Sequence, residues 1–124
     1  MSGNTILYVE DNELNRRLVR DLLKRTSYKL IEAHDGETGI TTALAERPAL
    51  ILMDIQLPKI SGLDVMRRLR TETATVATPM IALTSFALSG DDQKAKDAGA
   101  TAYLTKPFSP LALLALIRKL LPEA

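Results

Sequence analysis

The sequence predicts an α/β domain with a doubly wound, five-stranded parallel sheet in the order 2-1-3-4-5, covered by helices on both faces. Three observations carry this three-layer (βα)5 expectation. Short β-like runs alternate with helix-period segments along all 124 residues, as in a parallel sheet buried on both sides. The run at 49–53 is apolar without interruption, the mark of a strand with no solvent face. Pro and Gly punctuate the boundaries, at Pro48, Pro58, Gly62 and Gly99.

Taken in order, Thr5 to Val9 is the first strand core. Asn12 offers an N-cap to a helix whose Leu14, Leu18 and Leu22 fall on one face. Tyr28 to Ala33 is a second strand, and Gly36 to Arg47 a second helix stopped by Pro48. Ala49 to Met53 is the third strand and ends at Asp54, and Leu63 to Glu72 forms the third helix. Pro79 to Leu83 is the fourth strand and ends at Thr84. The fourth helix runs from Ser89 and closes at Gly99, a natural left-handed C-terminal position. Thr101 to Thr105 is the fifth strand, ending at Lys106-Pro107. Ser109-Pro110 supplies a cap and a first-turn proline to the last helix. One domain is expected to account for residues 1–124, with no repeat or linker.

Composition narrows the function classes. The chain is 46% hydrophobic and 25% charged, an ordinary globule. Sixteen basic residues balance fifteen acids, so nothing argues for nucleic acid, which calls for a basic face. With no cysteine, disulfides, thiolate zinc sites and Cys nucleophiles are excluded. The longest apolar stretch, Pro110 to Ile117, is too short for a bilayer. The start, Met-Ser-Gly-Asn, lacks the basic and apolar regions of a secretory signal. A cytoplasmic chain is expected.

In open α/β sheets ligands bind beyond the carboxyl ends of the strands, where strand order reverses. The strand ends here are Glu10-Asp11, Asp54, Thr84-Ser85 and Lys106. With order 2-1-3-4-5, strands one and three flank the reversal, so three carboxylates meet there and Thr84 and Lys106 stand on the far side. Three acids at a partly buried spot repel one another and call for a hard dication, Mg²⁺ with oxygen ligands. A transferring phosphoryl group spreads charge over three equatorial oxygens, for which the metal, Lys106 and the Thr84 hydroxyl are matched partners. Asp54 is then the nucleophile that forms an aspartyl-phosphate. Each residue singly has a plainer role: helix-start acids, a turn former, a β-branched strand end, a solvated lysine. Their joint placement at four strand ends is what argues for chemistry.

The segments "ILYVEDNELN" (6–15), "LILMDIQLPKISGLDV" (50–65), "PMIALTS" (79–85) and "AYLTKPF" (102–108) resemble the receiver domains of two-component response regulators, the CheY-like superfamily with its flavodoxin-like fold. The resemblance spans about Thr5 to Leu121. It implies Asp54 as phosphoacceptor, Glu10, Asp11 and Asp54 as the acidic Mg²⁺ cluster (Mn²⁺ a substitute), and the backbone carbonyl of Gln56 as a further ligand. It further implies Thr84 as switch hydroxyl, Lys106 as the family's lysine with a cis bond before Pro107, and Tyr103 as the aromatic that turns inward on phosphorylation. Glu10 stands where many members have Asp, and its longer side chain is expected to reach metal through water. "VEDNELN" with "DIQLPKISGLDV" is similar to stand-alone, DivK-type regulators of bacterial cell-cycle circuits, and also to receivers of hybrid kinases. Such a protein catalyses only its own phosphorylation and dephosphorylation. Its partners are sensor histidine kinases or phosphotransfer proteins, and a target at the helix 4–strand 5–helix 5 face.

Two surfaces are candidates for those partners. On the last helix, Leu113, Leu114, Leu116, Ile117, Leu120 and Leu121 span an arc of roughly 160°, wider than a core stripe needs, and Leu111 lies near the polar side. Surplus apolar surface beside Tyr103 is therefore expected to dock a kinase or target. Arg16, Arg17, Arg20 and Lys24 on the outer side of helix one are either a solvated face or a kinase contact. The one histidine, His34, ends strand two and is no phosphohistidine candidate. The four methionines read as core filler, with Met53 directly behind Asp54. Rival readings are a haloacid-type Mg²⁺ phosphohydrolase, which wants an Asp where Gln56 stands, a flavodoxin-like cofactor carrier, which wants a phosphate cradle in the first loop, and a phosphorylation-independent adaptor. Neither GxGxxG nor a P-loop occurs.

Overall fold

Strands and helices alternate as β1 (Thr5–Val9), α1 (Glu13–Leu23), β2 (Lys29–Ala33), α2 (Gly36–Glu46), β3 (Leu50–Asp54), α3 (Gly62–Arg70), β4 (Met80–Thr84), α4 (Asp91–Asp97), β5 (Ala102–Thr105) and α5 (Pro110–Leu120). The structure, a computed structural model, describes residues 3–84 and 91–123. The expected strand end Ser85 and helix start Ser89 lie outside the described residues. All strand pairings are parallel and the sheet order is β2-β1-β3-β4-β5, as the sequence predicts.

Because strand side chains alternate between faces, β1, β3 and β4 feed two cores. Leu7, Val9, Ile51, Met53, Met80 and Ala82 pack with Ala43 of α2, Val65, Met66 and Leu69 of α3, and Ala95 of α4. Ile6, Tyr8, Leu50, Leu52, Ile81 and Leu83 pack with Val19 and Leu23 of α1 and Leu113, Leu114 and Ile117 of α5. Every residue of β1, β3 and β4 is buried, whereas the edge strand β5 is only half-buried. β3 and β4 end in the polar Asp54 and Thr84, and β1 runs from Val9 directly into Glu10, so polar residues are delivered to the reversal point.

The helix starts follow local chemistry. Asn12, Asp35, Ser61 and Ser109 each cap a helix by accepting a backbone N–H, and Pro110 occupies the first turn of α5. Gly99 has φ 111°, the left-handed conformation expected of it, and Arg70 donates to its carbonyl from Nε and Nη2. Gly62 has a different reason to be glycine: a Cβ there would lie 2.1 Å from the Asp54 carbonyl oxygen. The start of α3 thus rests directly on the backbone of the candidate nucleophile.

Two helical faces differ from expectation. Leu14 and Leu18 of α1 are 62% and 58% exposed, and only Leu22 of the predicted stripe touches the core, in part. The buried stripe is Val19 and Leu23, four residues apart. On α5 the wide arc is almost wholly absorbed: Leu113, Leu114 and Ile117 are buried and Leu116, Leu120 and Leu121 pack against the same core. Of the surplus surface expected there, Leu111 alone stands free, at 75% exposure.

Candidate functional site

Register brings the acids together. Val9 pairs with Met53 and Asp54 with Leu83, so Glu10 emerges beside Asp54, and Thr84 stands one residue beyond on the other side. Thr84 pairs with Thr105, which puts Lys106 next in line, and the Lys106 N–H donates to the Thr84 carbonyl. One carboxylate oxygen from each of Glu10, Asp11 and Asp54 lies within 4.8 Å of the others. The bond before Pro107 is cis.

Glu10 is buried and densely held. Its Oε1 accepts from the Tyr8 hydroxyl at 3.0 Å, from Asn15 Nδ2 at 3.4 Å and from Lys106 Nζ. Its Oε2 accepts from the Asn12 N–H at 3.3 Å. Asp54 Oδ1 accepts from the Gln56 N–H at 2.9 Å, while Oδ2 lies 3.5 Å from Lys106 Nζ. Lys106 is therefore a half-buried counter-charge within the cluster, its side chain 13% exposed, and not a solvated loop lysine. Glu10, likewise, is no mere helix-start acid.

Burial, reinforced by the neighbouring Glu10 carboxylate, pushes the Asp54 carboxyl up to about 6. Burial pushes Glu10 the same way, but its hydrogen bond to Lys106 prevails and holds it below the ordinary carboxylate value. Above about 6 the carboxylates of Glu10 and Asp54 share one ammonium, and the excess negative charge lies on hard oxygen donors. A dication of the Mg²⁺ class fits that donor set, with exposed Asp11 on its open side.

Thr84 is fully buried at the end of β4. Tyr103 lies further off, on half-buried β5, where it packs toward the α4 side and lines a cavity of about 310 Å³ with Asp92 and Lys96. A second cavity, about 360 Å³, opens between Asn15 and Leu18 of α1 and Lys106, Pro107 and Phe108. His34 is exposed at the end of β2, and Met53 is buried behind Asp54.

A family model described as response regulator receiver domain matches residues 6–118. The chain belongs to the response regulator receiver family. Within that family it is 40% identical over 120 residues to the polar-differentiation response regulator DivK of Brucella anthropi, covering 97% of this chain and 98% of that one. Among solved receivers, the receiver domain of sensor histidine kinase PA1611 of Pseudomonas aeruginosa, described with a magnesium ion in its active-site cleft, superposes with TM-score 0.88 at 34% identity, covering 96% and 98% of the two chains. The chemotaxis response regulator CheY4 of Vibrio cholerae gives TM-score 0.88 at 29% identity, over 94% and 98%.

In this receiver the sequence missed the residues that hold Glu10 in place. Tyr8 was legible, since residues two apart on a strand share a face. Arg16 was not. Expected on the outer side of α1, it is largely buried, donating to the Glu10 carbonyl at 2.7 Å and pairing with Glu13 and, across the strand, Glu32. Arg20 also turns back to Glu32, with two hydrogen bonds of 2.7 Å. Only Arg17 and Lys24 keep to the outward basic face, Lys24 near Asp21.

Proposed function

We propose that this chain is a stand-alone phosphorelay switch that accepts a phosphoryl group from a phosphohistidine of a sensor kinase or phosphotransfer protein onto Asp54. The observation that carries the reading is a buried Asp54 carboxylate beside those of Glu10 and Asp11, with the Lys106 ammonium shared between Glu10 and Asp54. With its acidity near 6, Asp54 is ionised at neutral pH and able to attack. A carboxylate oxygen bonds to phosphorus while the phosphorus–nitrogen bond breaks and the imidazole nitrogen leaves with the electron pair. Lys106 Nζ offsets the charge on one equatorial oxygen and the Thr84 hydroxyl donates a hydrogen bond to a second. Bound by Asp11, Asp54, the Gln56 carbonyl and, through water, Glu10, Mg²⁺ or Mn²⁺ would supply charge neutralisation at the third. On this reading the chain catalyses only its own phosphorylation and dephosphorylation.

Exposed Leu18, which lines a cavity with Pro107 and Phe108, forms an apolar rim next to Lys106, and exposed Leu14 lies one turn earlier on α1; this rim suits the docking of the phosphohistidine donor. The downstream target contacts the α4–β5–α5 face, where β5 is an edge strand and Leu111 is exposed. Likeness to DivK over nearly the full length of both chains supports a cytoplasmic role in cell-cycle or division control, over one as a module of a hybrid kinase. No helix among the described residues is long and apolar enough to cross a membrane. Incubation with a kinase core radiolabelled on its histidine tests the reading. Label is expected on the wild-type chain and absent from Asp54→Asn; equal labelling of both would overturn it.

A further inference from the structure

Tyr8 touches the site yet takes part in none of the steps above. Its ring is fully buried on the α1/α5 side of the sheet, a place that Phe would fill as well, and its hydroxyl reaches Glu10 Oε1 at 3.0 Å. A hydroxyl in an apolar core is unfavourable unless it is bonded. The same Glu10 oxygen receives Lys106 Nζ, which stands 3.5 Å from Asp54 Oδ2. A glutamate has three rotatable side-chain bonds. Besides Tyr8, the Glu10 carboxylate is held by two long hydrogen bonds, 3.3 Å from Asn12 and 3.4 Å from Asn15, by its contact with the Asp54 carboxyl, and by the flexible lysine itself.

We propose that Tyr8 is a positioning residue whose hydroxyl pins the Glu10 carboxylate toward Lys106, and so sets the ammonium beside Asp54. The proposal rests on the reading of Asp54 as phosphoacceptor. Glu10 is held by Tyr8 as the anchor of Lys106, which leaves Asp11 and Asp54 as the carboxylates free to meet a cation directly.

The test is a double-mutant cycle with Tyr8→Phe and Lys106→Met, read by the rate of labelling from acetyl phosphate. Tyr8→Phe is expected to slow labelling about fivefold in the wild-type chain. In the Lys106→Met background it should change the rate by less than about twofold, since no ammonium remains to be placed. An equal slowing in both backgrounds would reduce Tyr8 to packing and overturn the proposal. A second measurement is independent of phosphorylation: the NMR resonances of the Glu10 carboxyl carbon and the Lys106 ε-methylene in metal-free protein. Both should move in Tyr8→Phe. Unmoved Lys106 signals overturn the proposal, whereas moved signals in a chain that never labels at Asp54 overturn the phosphoacceptor reading alone.

Discussion

Asp54 and Glu10 are neighbouring acids whose proton affinities are driven apart by what each faces: Asp54 meets burial and a second carboxylate, Glu10 meets Lys106 at closest range. Folded Asp54 keeps its proton up to about 6, whereas an unfolded aspartate releases it near 3.8. Between those values the folded state binds more protons, so this group lowers stability as pH rises, and its penalty is complete above about 6. Glu10 has the opposite sign; its contribution is present at neutral pH and is lost on acidification. In metal-free buffer at neutral pH, Asp54→Asn is therefore expected to exceed the wild type in stability by up to about 3 kcal/mol. The gap should close toward pH 4 and also on adding Mg²⁺. Urea unfolding across that range checks it, and a variant less stable than wild type at neutral pH would contradict it.

Helices carry the two features that the strands alone do not explain. The start of α3 rests on the Asp54 carbonyl at Gly62, so Gly62→Ala is expected to cost about 2–4 kcal/mol. Its thermal melt should fall accordingly, and an unchanged melting temperature would show that the contact yields. On α1, Leu18 sits beside the Lys106-Pro107-Phe108 turn and outside the core. Leu18→Glu should leave thermal stability and acetyl phosphate labelling intact. Labelling from a phosphorylated kinase should slow about tenfold or more. Equal slowing with both donors would remove docking as the explanation. On α5, a test of partner contact belongs at Leu111, because Leu114 is a core residue and its loss would damage the fold.

At the scale of the molecule, the strand ends were legible and the helix faces were not. Strands buried on both sides read as apolar runs, so the polar residue closing each run announced itself, and Glu10, Asp54, Thr84 and Lys106 fell where the sheet order puts them. Helix periodicity marks a stripe without saying which of two stripes meets the sheet. In α1 the leucines at 14 and 18 outweighed Val19 and Leu23 in the pattern, yet the latter pair is buried. Two arginines of α1 turn inward because Glu32 lies on β2, a partner far along the chain that no local pattern names. The polar ends of four strands then form one crevice, which is the basis of the proposed switch. Its most direct test is the intact mass of the chain after acetyl phosphate and Mg²⁺, with peptide mapping of the product. The mass should rise by one phosphoryl group, mapped to Asp54 and absent when EDTA is added. No gain in mass, or a gain mapped to another residue, would contradict it.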